Sequence, residues 1–294
     1  MAENMKNINW YPGHMEKARR QMQENLKVMD LIIEVRDARI PLASENPFLA
    51  EMAAGKPRII ILSKTDLADP EQTARWEEAL RTEQREVLSL DLRQGKDVRK
   101  KIIAASRLLT AAKYEKMKAR GIRNPRAMRA MACGIPNSGK STLINRVFGR
   151  ASLKTEDHPG VTRSLNWIHA DPALDILDTP GVLWPRFDDQ HAAALLGITG
   201  AINDQLLDFK DLSCVLITTM QKYYPGLLEK AYEYQDLEDP YDVLRAAAAC
   251  RRILKENNEA DLDRTASAMI HEFRRGKLGR ITLEHEEDTE NLSE

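Results

Sequence analysis

The sequence predicts an α/β fold: a parallel sheet with helices on both faces, followed by a small all-helical part. Three observations carry this. Apolar runs of strand length recur at residues 31–35, 58–62, 86–90, 127–133 and 173–177, with helical patterns between several of them; such alternation builds parallel sheets. The run Gly134-Ile135-Pro136-Asn137-Ser138-Gly139-Lys140-Ser141 fits GxxxxGK[ST] at every fixed position, with a strand before it and a helix over 142–147 after it. Strand, glycine loop and helix in that order aim backbone N–H groups and a helix N-terminus at a phosphate. Beyond Arg186 every pattern is helical. The expected division is a larger domain over 1–186 that includes an N-terminal helix, a helical domain over 187–283, and a disordered acidic tail over 284–294 with six acidic residues and no Lys or Arg.

Residues 1–9 are polar. Over 15–29, Met15, Ala18, Met22, Leu26 and Met29 recur at helical spacing. Lys17, Arg19 and Arg20 lie on the outer face, as a solvated surface or a contact for RNA phosphate. The strand over 31–35 leads into Asp37-Ala38-Arg39-Ile40-Pro41, where Asp37 and Arg39 either pair with each other or face a partner. A short helix over 46–54 ends at Gly55. The strand over 58–62 runs into Ser63-Lys64-Thr65-Asp66, at the sheet edge where open α/β folds bind ligands. Asp66 or Asp69, ahead of Pro70, caps a helix over 71–83. A strand over 86–90 and a helix over 97–112 follow, the latter with Val98, Ile102, Ala105 and Leu109 inward. Residues 113–129 hold seven Lys/Arg against Glu115. They read as a linker whose charge suits a phosphate backbone or simply solvent.

After the glycine loop, 151–163 contains Pro159-Gly160-Val161-Thr162-Arg163. Residues 164–169 and 173–177 read as a hairpin entering Asp178-Thr179-Pro180-Gly181. Helices are expected over 188–197, 209–224, 239–255 (Asp239 as cap, Pro240 first) and 261–275, closed by Gly276. Leu262, Ala266, Met269, Ile270 and Phe273 form the inner stripe of the last one. Arg251, Arg252 and Lys255, with Arg274, Arg275, Lys277 and Arg280, give this part basic ends that would suit RNA, although no sequence-specific RNA motif is present.

The chemistry follows from the motifs. Lys140 would reach β- and γ-phosphates and the Ser141 hydroxyl would bind Mg²⁺, with Ser138, Gly139 and Thr142 completing the cradle. Asp178-Thr179-Pro180-Gly181 is the DxxG with which GTPases hold Mg²⁺ through the Asp and the γ-phosphate through the Gly amide. Thr162 is the expected switch threonine for Mg²⁺ and γ-phosphate. Asp66 can accept from guanine N1–H and the 2-amino group; adenine lacks both donors and would leave the carboxylate unpaired. The Lys64 stem can lie over the base. Ser63 stands where Asn is usual. A base-backing loop is sought at Ser89-Leu90-Asp91, which fits poorly, and its position stays open. The nucleotide is therefore GTP or GDP. The motif order is base, phosphate, switch I, switch II, a circular permutation of the Ras-like order. Val182 follows Gly181 where a water-positioning Gln would stand. A small-molecule kinase on the same loop would need ATP and an arginine-bearing lid, and the pairing of SKTD with DTPG argues against it. A stable RNA-binding scaffold with a structural nucleotide is a third reading.

Composition narrows the class. The chain has 294 residues, enough for two domains, 30% charged residues and a net charge of −1, so any RNA surface must be local. Cys133, Cys214 and Cys250 form no CxxC, which points to reduced, buried thiols rather than zinc or disulfides. With no long apolar stretch and no leader pattern, a soluble, cytoplasmic protein without membrane contact is expected.

These motifs, with Tyr11-Pro12-Gly13-His14-Met15, the Asp37–Pro41 run, GIPNSGKSTLIN, PGVTR and DTPGVLWP, resemble those of the circularly permuted GTPases that work on the large ribosomal subunit. The likeness spans nearly everything up to about Arg186 and continues more weakly beyond. It implies a circularly permuted Ras-like P-loop GTPase domain with a helical RNA-binding appendage. It implies His14, with Lys140 and Thr162, as the catalytic set, His14 substituting for the missing Gln; a ribosome contact is the other reading of His14. Mg²⁺ would be held by Ser141, Thr162 and Asp178. Asn137 would help bind K⁺ where an arginine finger otherwise supplies charge. The implied partner is the large ribosomal subunit through its rRNA, with ribosomal proteins as further contacts. The implied role is late maturation of that subunit, with slow intrinsic hydrolysis that the subunit stimulates and that drives release.

Overall fold

Strand β1 (Leu31–Asp37) is buried at all seven positions, and everything else is arranged around it. It pairs in parallel with β2 (Arg58–Ser63) on one side and β4 (Met128–Gly134) on the other. The full order is β3-β2-β1-β4-β6-β5, with β3 (Arg85–Ser89), β5 (Asn166–Asp171) and β6 (Leu174–Asp178). All pairs are parallel except the β5–β6 hairpin. The computed structural model describes residues 13–53, 55–93, 97–122, 126–148, 166–184 and 189–288.

Side-chain alternation sorts the two faces. Leu31, Ile33, Val35, Ile59 and Ile61 pack with α4 (Val98–Ala119) and α5 (Lys140–Phe148). On the other face, Ile32, Met131, Cys133 and Leu177 share a cluster with α1 (Gly13–Leu26), while Ile60, Leu62 and Val87 meet Trp76 of α3 (Pro70–Ala79). The α1 cluster continues without a break through Val182 and Leu183 into α6 (Gln190–Thr199), α7 (Phe209–Tyr223), α9 (Pro240–Arg251) and α10 (Leu262–Arg274). The helical part therefore shares a core with one face of the sheet.

Local capping explains most boundaries. Asn46, Asp69, Asp189, Asp239 and Asp261 each accept a backbone N–H of the turn they open, and Pro follows three of them at the first helical position, as in α2 (Pro47–Met52). Asp69, not Asp66, caps α3, which leaves Asp66 available for other work.

Several expectations change. Helix α4 runs on to Ala119, so the basic linker begins as helix, stabilised by Lys116 and Lys118 in its last turn. Helices α3 and α9 end four residues earlier than periodicity predicts, at Ala79 and at Arg251, the latter followed by Arg252 in left-handed conformation as its cap. A short helix, α8 (Leu227–Tyr232), was not anticipated. Cys133 is buried, but Cys214 and Cys250 are only partly so; all three are free. Arg19 and Arg20 both reach Glu16.

The acidic tail also begins later than expected. The Glu284 carboxylate accepts from Leu42 N at 2.7 Å and Ala43 N at 2.9 Å, and Trp76 Nε1 donates to Glu284 O at 2.8 Å. His285 stacks on Tyr223 with ring centroids 3.8 Å apart. Residues 289–294 lie outside the described residues.

Burial raises the Glu284 carboxyl from 4.5 to about 7, against the opposing pull of the two amides. A carboxyl with a raised folded-state pKa stabilises the fold below its unfolded value and loses that contribution as pH rises through the folded value. The Glu284 contribution to stability should therefore decline between pH 4.5 and about 7. Glu284→Gln should lack that component, seen as a flatter denaturant midpoint against pH.

Candidate active site

The segments at the C-terminal ends of β2, β3, β4 and β6 border a cavity of about 540 Å³, a normal size for a small-molecule site. Ser63, Lys64 and Asp66 border it from β2, Asn137, Gly139, Lys140, Ser141 and Thr142 from the glycine loop, and Gly181 from DxxG. Motifs far apart in the chain thus share one cavity.

The glycine loop is shaped by close backbone approach. A Cβ on Gly134 would lie 2.6 Å from Val35 O and 2.8 Å from Ser138 Oγ, and Gly139 has φ +98°. Only glycine tolerates both without strain. Lys140 Nζ sits 2.5 Å from Asp178 Oδ1, with side chains 5% and 2% exposed. This buried pair joins the loop to DxxG. Thr179 Oγ1 donates to Ala132 O at 2.8 Å. A Cβ on Gly181 would meet Pro136 Cα at 3.0 Å, so switch II lies directly on the loop. Val182 is buried, its N–H donates to Gly134 O at 3.3 Å, and its carbonyl accepts from Asn46 Nδ2 at 2.7 Å. Ser138 Oγ is buried without a hydrogen-bond partner among the described residues, and Ser138 does not border the cavity.

The base end differs from expectation in three ways. The Ser63 hydroxyl is fully buried and lies 2.9 Å from Arg36 O and 2.5 Å from Ser138 O. It braces the strand ends and the glycine loop. Lys64, with φ +58°, directs Nζ to Asp37 Oδ2 at 2.8 Å rather than across an open face. The loop after β3 that borders the cavity is Asp91-Leu92-Arg93, two residues beyond the place where the base-backing loop was sought. Arg93 forms an ion pair with Asp66. Sequence reasoning missed Arg93; its signal was position alone, just past the C-terminal end of a strand in the same sheet.

Asp37 and Arg39 do pair with each other, at 3.0 and 2.7 Å. Burial would raise the Asp37 carboxyl, but Arg39 and Lys64 together outweigh it and hold it well below the usual carboxylate range. Asn137, also in left-handed conformation, donates from Nδ2 to Gly200 O at 2.6 Å. K⁺ would therefore have to use its side-chain oxygen. For Mg²⁺ the donors present, the Ser141 hydroxyl and the Asp178 carboxylate, are hard oxygens of the right kind. No group of three His, Cys, Asp or Glu side chains that could hold a metal ion exists among the described residues. His14 is the second residue of α1, but its side chain lies outside the described residues, as do Tyr11, Pro12 and all of 151–165 with Thr162.

If Asp66 reads the base, a base entering this cavity must displace Arg93 from it. Their side chains are 58% and 19% exposed, and such pairs are worth about 0–1 kcal/mol. Arg93→Ala should tighten GDP binding by about two- to fivefold in calorimetric titration. Weaker binding would mean that Arg93 contacts the nucleotide instead of competing with it.

The model of the 50S ribosome-binding GTPase family matches residues 129–275. Ribosome biogenesis GTPase A of Priestia megaterium is 40% identical, the match covering 96% of this chain and 98% of that one. The protein of the same name from Bacillus cereus is 42% identical, covering 96% and 95%. A GDP-bound structure of YlqF superposes with a TM-score of 0.63 at 24% identity, covering 92% of this chain and 100% of the other. A GNP-bound YlqF from T. maritima gives 0.59, covering 92% and 98%. Nearly full-length identity at this level, joined to the permuted motif order and the shared cavity, shows that the chain belongs to the ribosome biogenesis GTPase A family of circularly permuted GTP hydrolases.

Proposed function

We propose that the chain hydrolyses GTP as a late maturation factor of the large (50S) ribosomal subunit, docking in the GTP state and leaving after hydrolysis. The observation that carries this is the convergence of SKTD, the glycine loop and DxxG on one cavity in a member of this family. Water attacks the γ-phosphorus in line; the new O–P bond forms as the bond to the GDP oxygen breaks. His14 orients the water and accepts its hydrogen bond. Lys140 leaves Asp178 and neutralises the phosphates. The Gly181 amide and Thr162 engage the γ-phosphate. Ser141, Asp178 and Thr162 would hold Mg²⁺, which when bound neutralises charge on the β- and γ-phosphates. Asn137 would hold K⁺, a positive charge in the place of an arginine finger. Asp66 reads guanine.

Docking on rRNA falls to the helical domain over 187–283 and to the C-terminal half of α4, with ribosomal proteins as further contacts. Arg252, Lys255, Arg275 and Lys277 are exposed and support that assignment. Arg251 and Arg274 do not, being engaged by Glu272 and by Asp204. The route from nucleotide to partner is short: switch II runs from Gly181 towards α6, and Asn137 binds Gly200 at the end of α6. We place this work in the cytoplasm; no helix among the described residues is long and apolar enough to cross a membrane.

The test is GTP hydrolysis in K⁺ and in Na⁺ buffer, with and without purified large subunits, for wild type and His14→Ala. Wild type should be stimulated by subunits and faster in K⁺. His14→Ala should bind subunits but lose on the order of 10²-fold of the stimulated rate. Normal hydrolysis by the variant would make His14 a docking or structural residue, and an unstimulated wild type would overturn the ribosomal assignment. A second check is Asn137→Ala, which removes the side-chain oxygen and should abolish the K⁺ preference while retaining GDP binding.

A further inference from the structure

The loop that presents Asp66 is held from outside by the far end of the chain. Thr65 O accepts from Arg280 Nη2 at 2.7 Å and Ala68 O from Arg280 Nε at 2.9 Å. Between them, Leu67 O accepts from Ile281 N at 3.0 Å. Asp69 N donates to Thr282 Oγ1 at 3.1 Å. The carbonyls on both sides of Asp66 are thus fixed by residues more than two hundred positions later. The segment is itself firmly seated: Leu283 N donates to Arg39 O at 2.8 Å, Thr282 exchanges hydrogen bonds with the Tyr224 hydroxyl, and Ile281 and Leu283 are buried. Gly276, with φ +71°, lets α10 end against Leu67, whose Cδ2 would lie 2.8 Å from a Cβ there.

Arg280 differs from its neighbours. It is exposed, so it adds little to the core, yet its planar fork spans two carbonyls of the base-reading loop. A carboxylate that must meet two donors at once has little positional tolerance, about half an ångström. We propose that Arg280 is a positioning residue for guanine recognition: it holds the 65–68 turn so that Asp66 can accept from N1–H and the 2-amino group together. The proposal rests on Asp66 as the base-reading group. It makes the C-terminal segment part of the nucleotide site's frame, through which a ligand seated on the helical part would alter nucleotide affinity.

The test compares GDP with inosine diphosphate, which lacks the 2-amino group, for wild type, Arg280→Ala, Arg280→Lys and Asp66→Asn, with thermal melting of each. Arg280→Ala should weaken GDP about tenfold and inosine diphosphate about two- to threefold, so the preference for the 2-amino group shrinks while the melting temperature stays near wild type. Arg280→Lys, able to serve one carbonyl, should fall between. An equal loss for both nucleotides, or none, would overturn the proposal, since a merely structural residue would not change the ratio. Asp66→Asn separates the two ideas. If it abolishes the guanine preference while Arg280→Ala keeps the ratio, only the role of Arg280 fails; if it leaves the preference intact, the assignment of Asp66 fails and this proposal with it.

Discussion

The site depends on a buried junction where three strand ends meet. Asp37 closes β1 and binds Arg39 and Lys64; the Ser63 hydroxyl closes β2 and touches carbonyls of Arg36 and Ser138. Charges this deeply buried are tolerable only when paired, and removing one partner strands the other. The junction therefore fixes the glycine loop and the Ser63–Asp66 loop relative to each other. Arg39 extends it outward: its guanidinium reaches Thr199 O at 3.5 Å and lies 5.2 Å from the centre of the Phe273 ring. One ion pair thus connects the sheet's binding edge to α6 and α10.

Much of this arrangement was readable from the chain because it rests on local chemistry. Cap residues such as Asn46, Asp69, Asp239 and Asp261 act within three residues of themselves. The glycine loop and DxxG carry their spacing in sequence, and permutation left that spacing intact. What escaped was set by distant contacts. Arg251, Arg274 and Arg280 looked like the basic ends of an RNA-binding bundle, yet Arg274 donates to Gly197 O and Ile198 O and bridges to Asp204, and Arg280 serves Thr65 and Ala68. A cation on a helix end has the same appearance in sequence whether it meets solvent or a carbonyl two hundred residues away. Ser63 escaped for the same reason: its partner lies in the glycine loop.

The tail shows the converse error. A run of acidic residues reads as solvated, but the buried Glu284 carboxyl is partnered by two backbone amides of the 42–43 turn, which donate to it, while Asp288 accepts from Lys222 and Tyr223. The sheet and the helices around it are consequently not two bodies on a hinge. They share one apolar cluster and are sewn together by polar contacts at Gly200, Arg39 and Arg280.

Permutation also changes how the chain must find its fold. Leu31 pairs with Ala130, about a hundred residues later, so the central strand gains its second neighbour only after three strands and a helix of 22 residues have formed. Until then one edge of β1, with Leu31, Ile32, Ile33 and Val35 among its seven residues, has no partner and is open to another chain. Parallel pairing over such separations is intrinsically slow. A newly made chain should pass through a half-sheet of β1, β2 and β3 with that edge bare, and this stage, rather than the finished structure, is where misassembly and the need for chaperone cover would be concentrated.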